Sequence, residues 1–365
     1  LTPLVTFCMK AYGKMDRHAV HKAISIIQFK LEDQLIKENP EFNMNHRLIL
    51  DNINWEKGTI IIDDKEWKLN STDFPTVNKE KPNLLNEDEE MVMSRLYYSF
   101  THCEKLQRHV QFLYRKGSLY KVFNGNLVYH GCIPLDKNGN FLEANIYGKV
   151  CSGKSLYDEL ENWARKGYFA KEGSKERIKG GNIMWYLWEG PKSPLFGKDK
   201  MASFENMFID DKEASKEKKN HYYDEVEDLE TVEKVMREFG IDTKTGHIIN
   251  GHVPQQVKKG DSPIKCGGKL LIIDGGFAAA YHEKTGIAGY TLVCNSYGLR
   301  LVVHEKFTSA QDVIEKDSDI VSDTIQVEKF PQRHYVADTD NGVEIKLQIE
   351  ELEALLKAYR NGSLT

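Results

Sequence analysis

Two β-rich runs joined by Asn-Gly, SLYKVFNGNLVYHGCIPLD at 118–136, constrain this chain more tightly than any other stretch. Asn124-Gly125 is a strong short-range signal for a hairpin, so sheet takes over at Ser118. The second run ends on His130-Gly131. A residue at a strand end, next to a glycine that allows close approach, is well placed to project into a cleft. The same order of strand, histidine and turn returns in HIINGHVP at 247–254, where Gly251 precedes His252 and Pro254 follows. Neutral imidazole is the commonest protein ligand for a divalent transition metal. A hydrogen-bonded histidine at a strand end also accounts for either residue alone, so both readings stay open. His247, without the following turn, is the ordinary one.

Upstream, Val20, Ile24, Ile27, Leu31 and Leu35 form one helical stripe, predicting a helix over Met15–Lys37 that Pro40 stops. GTIIIDDKEWKL at 58–69 predicts a small hairpin around Asp63-Asp64. Asn86 with Glu89 marks a helix start, Thr101 with Glu104 a second capping box, and Gly117 closes the helix it opens. Residues 1–117 therefore read as mostly helical with one hairpin. Further on, Ser155–Lys166 is an amphipathic helix ended by Gly167. Residues 171–220, with the aromatic island MWYLWEG at 184–190, read as a long excursion. Asp228–Phe239 is helical and Gly240 caps it. HII, KLLIID, GYTLVCN and LRLVVHEKF are expected as successive neighbours in one sheet. Residues 309–365 form a tail that ends in the Leu-rich helix IEELEALLKAYRNG.

Composition limits the partners. A formal net charge of −5, with 50 Lys and Arg against 55 Asp and Glu, supplies no global field for nucleic acid or an anionic membrane. The six cysteines (Cys8, Cys103, Cys132, Cys151, Cys266, Cys294) are scattered without a C-x-x-C pair, which reads as a reducing cytoplasm. No apolar run approaches the ~20 residues a bilayer needs, and no signal peptide is evident. Neither a P-loop nor a G-x-G-x-x-G fingerprint occurs. Cys132 could share a face with His130, but it has no evident orienting partner and makes a poor nucleophile. Lys192, Lys198 and Lys200, and the run Lys216–Lys219, could hold a phosphate or simply be solvated. His18, His21, His102 and His109 read as solvated, His46 as a surface residue, and His282 and His304 as structural.

The collinear segments IQFKLEDQLIK, FNMNHRLIL, EKLQRHVQFLYRKGSLY, YHGCIP, WYLWEGPKSPLFGK, FENMFI, KEKKNHYY, GHIINGHVP, CGGKLLIIDGG and TGIAGYTLVCNSYG carry a family likeness. From about residue 15 to about 308 it resembles the class III bacterial fructose-1,6-bisphosphatases, a branch of the calcineurin-like metallophosphoesterases. The resemblance implies an α/β metallophosphoesterase-type layered sandwich. Residues 1–117 would be a helical insertion and 118–308 the C-terminal part of the catalytic domain. His130 matches the family's H-G histidine and His252 its G-H histidine, implying two ligands to one metal of a two-metal Mn²⁺ or Mg²⁺ centre. Asp274-Gly275-Gly276 matches the turn that supports the site. Lys198, Lys200, Lys218 and Lys219 are candidates for the distal phosphate of a sugar bisphosphate. The implied reaction is hydrolysis of the 1-phosphate of fructose 1,6-bisphosphate in gluconeogenesis, by in-line attack of water without a phosphoenzyme.

Such phosphatases also carry D-x-H, G-D-x-x-D-R-G and G-N-H-[DE] segments, which are expected outside these 365 residues, in a missing segment upstream of Leu1. On that expectation the chain is the C-terminal portion of a longer enzyme, with little activity alone. The alternatives are a metallophosphoesterase acting on a phosphoprotein or dinucleoside polyphosphate, and a non-catalytic fragment or assembly module. A homo-oligomer is left open.

Overall fold

The computed structural model describes residues 2–14, 16–255, 260–274, 283, 285, 289–304, 309–316 and 322–363. The chain is a mixed α/β protein with several small sheets, and it divides into two compact units. The first comprises Leu1–Ser118 with Pro134–Asn220, and the second Leu119–Ile133 with His221–Thr365. The first break falls where hairpin chemistry replaces helical patterning. Residues 134–220, expected with the catalytic part, return instead to the N-terminal unit, because α-helices there share its core.

The first unit opens with α1 (Thr2–Tyr12) and α2 (Arg17–Glu38). Asp16 caps α2 by accepting the Ala19 amide at 2.7 Å. Asp16-Arg17-His18 spells D-x-H, contrary to the expectation that all such segments lie outside the chain, but here Asp16 is a helix cap and His18 is exposed. Strands β1 (Ile53–Asn54), β2 (Thr59–Ile62) and β3 (Lys65–Lys68) form an antiparallel sheet, with Asp63 and Asp64 at φ 52° and 60° in the expected turn. Its apolar face joins α2 in a core built on Ile26, Phe29, Ile60, Trp67 and Phe74.

Helix α3 (Glu87–Thr101) begins at the Asn86/Glu89 capping box, closed in both directions at 2.9 Å. Helix α4 (Glu104–Lys116) does not begin at the expected second box. Thr101 Oγ1 instead donates back to Tyr97 O, and Cys103 precedes the first turn without a side-chain cap. Strands β4 (Tyr120–Phe123) and β5 (Asn126–Tyr129) belong to the second unit. The first resumes with the hairpin β6 (Ala144–Ile146) and β7 (Lys149–Cys151), then α5 (Gly153–Phe169), α6 (Lys175–Glu189) and α7 (Ser203–Phe208). The aromatic island is thus part of α6, not an excursion: Ile183, Tyr186 and Leu187 are buried at helical spacing.

In the second unit β4 and β5 form the hairpin, with Asn124 at φ 48° and Gly125 at 71°. Helix α8 (Leu229–Glu238) ends at Phe239 and Gly240, the latter at φ 73°. Strands β8 (Ile248–Asn250), β9 (Ile264–Lys265) and β10 (Leu270–Ile272) complete a five-stranded sheet in the order β4-β5-β8-β10-β9. Strands β5, β8 and β10 run parallel, with Leu127 opposite Ile248 and Leu270 opposite Ile248 on the other side. Their continuous apolar character suits a central, two-sided position.

Strands β11 (Gly289–Asn295), β12 (Gly298–His304) and β13 (Ser322–Lys329) make a separate antiparallel sheet. The four runs expected in one sheet are therefore split between two, which meet where Tyr290 and Leu301 pack with Ile264 and Ile273. A short helix (Ala310–Lys316) and a long C-terminal helix (Asp340–Arg360) follow.

Candidate functional site

Three adjacent parallel strands deliver three polar residues from their C-terminal ends: His130 after β5, His252 after β8 and Asp274 after β10. The C-terminal edge of parallel strands is where α/β sheets hold their ligands, because the chain leaves the sheet there and opens a crevice.

The strand ends are tied together by their backbones. The Gly251 amide donates to His130 O at 3.0 Å, the Ile273 amide to Asn250 O at 2.9 Å, and the Gln255 amide to Asp274 O at 3.0 Å. A Cβ at Gly251 would meet Asp274 Cβ at 3.6 Å and His130 Nδ1 at 3.7 Å, ordinary van der Waals contact, so His130 and Asp274 both lie against this position. The Val253 amide donates to Gly251 O at 2.8 Å across His252, whose φ is 68°. That is a γ-turn with the strained, positive φ, which few non-glycine residues adopt.

The turn directs His252 at His130. His252 Nδ1 lies 3.2 Å from His130 Nε2, with the rings nearly perpendicular at 86°. His130 is exposed and His252 half-buried, so the pair opens to solvent. Two nitrogens each ~2.1 Å from one ion at a tetrahedral angle are about 3.4 Å apart, so the observed separation fits two neighbouring positions around a single cation. Among the described residues no group of three or more His, Cys, Asp or Glu is gathered for a metal ion, so the fit is to two positions only.

Behind the pair runs a buried polar chain that the sequence reading missed. Asn250 Nδ2 donates to Gly131 O at 3.3 Å and to Tyr222 OH at 2.8 Å, and Tyr222 OH lies 2.6 Å from Tyr129 OH. Asn250 Oδ1 is buried without a hydrogen-bond partner among the described residues, an acceptor that suits a water or a cation. The available signal was an asparagine closing an otherwise apolar strand. Burial also raises the Tyr222 hydroxyl far above the ordinary tyrosine range, so the chain stays neutral.

Other candidates fall elsewhere. Cys132 is fully buried, away from the exposed His130, and burial pushes its thiol up to about 12; it remains protonated and cannot attack. Lys200 is not free for a substrate phosphate: it is 5% exposed, and its ammonium meets Asp63 at 2.5 Å and Ala214 O at 3.1 Å. Lys198 is paired with Glu217 at 2.5 Å. Lys218 and Lys219 are exposed. All four lysines belong to the first unit, whereas the histidine pair belongs to the second. His247 is indeed structural, with Nδ1 2.8 Å from Gly268 O and Nε2 2.9 Å from Glu328 Oε2. His304 Nε2 lies 2.7 Å from Thr291 Oγ1. Gly275, Gly276 and His282 lie outside the described residues.

The family described as Firmicute fructose-1,6-bisphosphatase matches residues 8–361. Proteins named fructose-1,6-bisphosphatase class 3 are similar along the chain. Those of Clostridium botulinum (strain Alaska E43 / Type E3) and Clostridium acetobutylicum are each 48% identical over 99% of this chain and 58% of their own length. That of Clostridium novyi (strain NT) is 52% identical over 94% of this chain and 52% of its own. The likeness thus reaches beyond residues 15–308, and the chain spans somewhat over half the length of these relatives. No solved structure matches the chain. Among the described residues no helix is long and apolar enough to cross a membrane.

Proposed function

The chain belongs to the Firmicute fructose-1,6-bisphosphatase family, and from that premise we propose that it serves the metal-dependent hydrolysis of the 1-phosphate of fructose 1,6-bisphosphate. His130 and His252 are the paired ligands of a divalent ion in this reading. The observation that carries it is the 3.2 Å approach of His252 Nδ1 to His130 Nε2 at the C-terminal ends of neighbouring parallel strands. An ion held there would supply positive charge for the phosphoryl oxygens and acidify a water.

The chain's own residues provide the rest. The γ-turn orients the His252 ring, and Asn250 braces Gly131 behind His130. Asp274 supports the pair from the third strand. Two imidazoles favour Mn²⁺ over Mg²⁺, which prefers oxygen ligands and retains its waters. The two sheets that meet at Tyr290 and Leu301 are consistent with metallophosphoesterase-type layering.

Titration calorimetry of Mn²⁺ into the chain, paired with phosphate release from fructose 1,6-bisphosphate, tests the reading. His130→Ala and His252→Ala should each weaken Mn²⁺ at least about tenfold and lower release in parallel. Wild-type Mn²⁺ affinity in both variants would remove the pair from the metal.

A further inference from the structure

Among the described residues, the hydrogen bonds that hold the C-terminal helix Asp340–Arg360 to the rest of the chain lie at its beginning. Thr339 Oγ1 accepts the Gly342 amide at 3.1 Å. Asp340 and Asn124 exchange hydrogen bonds at 2.7 and 3.0 Å, tying that first turn to the β4–β5 turn. Beyond it, every residue from 343 to 360 is exposed except the half-buried Ala358. Helices in proteins draw most of their stability from packing an apolar face, and natural surfaces seldom leave a continuous apolar strip uncovered.

The strip has a definite period. Ile345, Ile349, Leu352, Leu356 and Tyr359 follow steps of four, three, four and three, the 3.5-residue repeat of a coiled-coil seam. These five are 47%, 49%, 64%, 48% and 57% exposed. Val343 and Leu347 fall off the seam, on the outer side. With Ile349 and Leu356 at the first apolar position of the heptad, the flanking positions carry Lys346, Glu353 and Arg360 on one side and Gln348 and Leu355 on the other.

We propose that this helix pairs antiparallel with the same helix of a second copy of the chain. In that arrangement Ile349 of one copy layers on Leu352 of the other, and Ile345 on Leu356. The same offset sets Lys346 of one copy beside Glu353 of the other, and twofold symmetry repeats the pair. A parallel pairing would place Gln348 by Glu353 and Leu355 by Arg360, with no ion pair. The flanking charges therefore select both the partner and the direction. Four apolar layers form a small interface, so association is concentration-dependent, in the micromolar range of about 1–100 μM.

Sedimentation of the whole 365-residue chain tests this in reducing buffer, so that exposed Cys103 and Cys294 do not cross-link copies. The wild type should pass from monomer to dimer with rising concentration, and Leu352→Lys should abolish the dimer. Lys346→Glu and Glu353→Lys should each weaken it about tenfold. The double exchange should restore it to within about threefold, with circular dichroism confirming that the helix persists throughout. A wild-type chain that stays monomeric, whether because another macromolecule or nothing covers the strip, overturns the proposal. So do single reversals without effect, or a double exchange no better than the single ones.

Discussion

His247 and His252 sit five positions apart, and the backbone treats them in opposite ways. Buried at 5% exposure, His247 has an acceptor at each ring nitrogen, Gly268 O and Glu328 Oε2, and so links β8 to β13. His252 holds a positive φ that costs a non-glycine residue about 1 kcal/mol. Strain retained there, with the ring aimed at a second imidazole, supports the proposed ligand role. His252→Gly should therefore leave denaturant stability unchanged or raise it by up to about 1 kcal/mol, while Mn²⁺ binding falls. His247→Ala should lose about 2–3 kcal/mol with Mn²⁺ binding kept, since it strands a buried carbonyl and a carboxylate. Equal effects of the two variants on stability would refute the distinction. The histidines were legible because strand, histidine and glycine are neighbours in sequence. The Asn250–Tyr222–Tyr129 chain was not, because it depends on which strands become parallel neighbours across long connections.

Glycines show the same limit at the scale of elements. Gly167 looked like a helix stop, yet it lies inside α5, where a Cβ would come within 2.5 Å of Gly180 Cα on α6. The two backbones touch at this crossing, and no side chain fits between them. Gly167→Ala gains up to about 1 kcal/mol of helix propensity but must force the helices apart, for a net loss of about 1–3 kcal/mol in urea unfolding. Gly181, also within α6, has nothing within 4 Å of its added Cβ, so Gly181→Ala should gain up to about 1 kcal/mol. Opposite signs at two glycines of one helix pair would establish the crossing; a loss at both would not. Turns governed by two residues, Asp63-Asp64 and Asn124-Gly125, were readable because their constraint is local. Helix α6 was missed because its Lys, Glu and Gly content masked the buried positions Gly180, Ile183 and Leu187. The division into two sheets likewise depends on long-range pairing that no short pattern encodes.

Across the whole molecule, the first unit holds an unusual load of buried charge, and this sets how the chain responds to pH. Lys30 and Glu89 pair at 2.7 Å with neither exposed, and Arg47 grips Glu205 at 2.5 Å. Both pairs are matched. Glu32 and Glu189 are not, since burial raises both carboxyls and they face each other, with Arg47 pulling in the opposite direction. Glu189 is pushed up to about 9, and burial with the nearby Asp51 carries Asp33 to about 7, against the two amide bonds it accepts from Ile49 and Leu50. Folded pKa values raised above the unfolded ones mean that the folded state binds more protons. The contribution is complete below the unfolded values near 4 and is lost as pH rises through the folded ones. Stability should therefore fall by up to about 4 kcal/mol between pH 6 and pH 8, since each pH unit over which the folded state alone holds a proton is worth about 1.4 kcal/mol, the two carboxyls of the pair sharing one such proton and Asp33 losing its own near the middle of the window. Thermal melts across that window should show Tm dropping by a few degrees. Glu189→Gln keeps the shape and a hydrogen-bond donor while removing the titration, so its melting temperature should exceed the wild type's at pH 8 and approach it at pH 6. A parallel slope in that variant would place the pH dependence elsewhere, with Asp33→Asn as the next carboxyl to test.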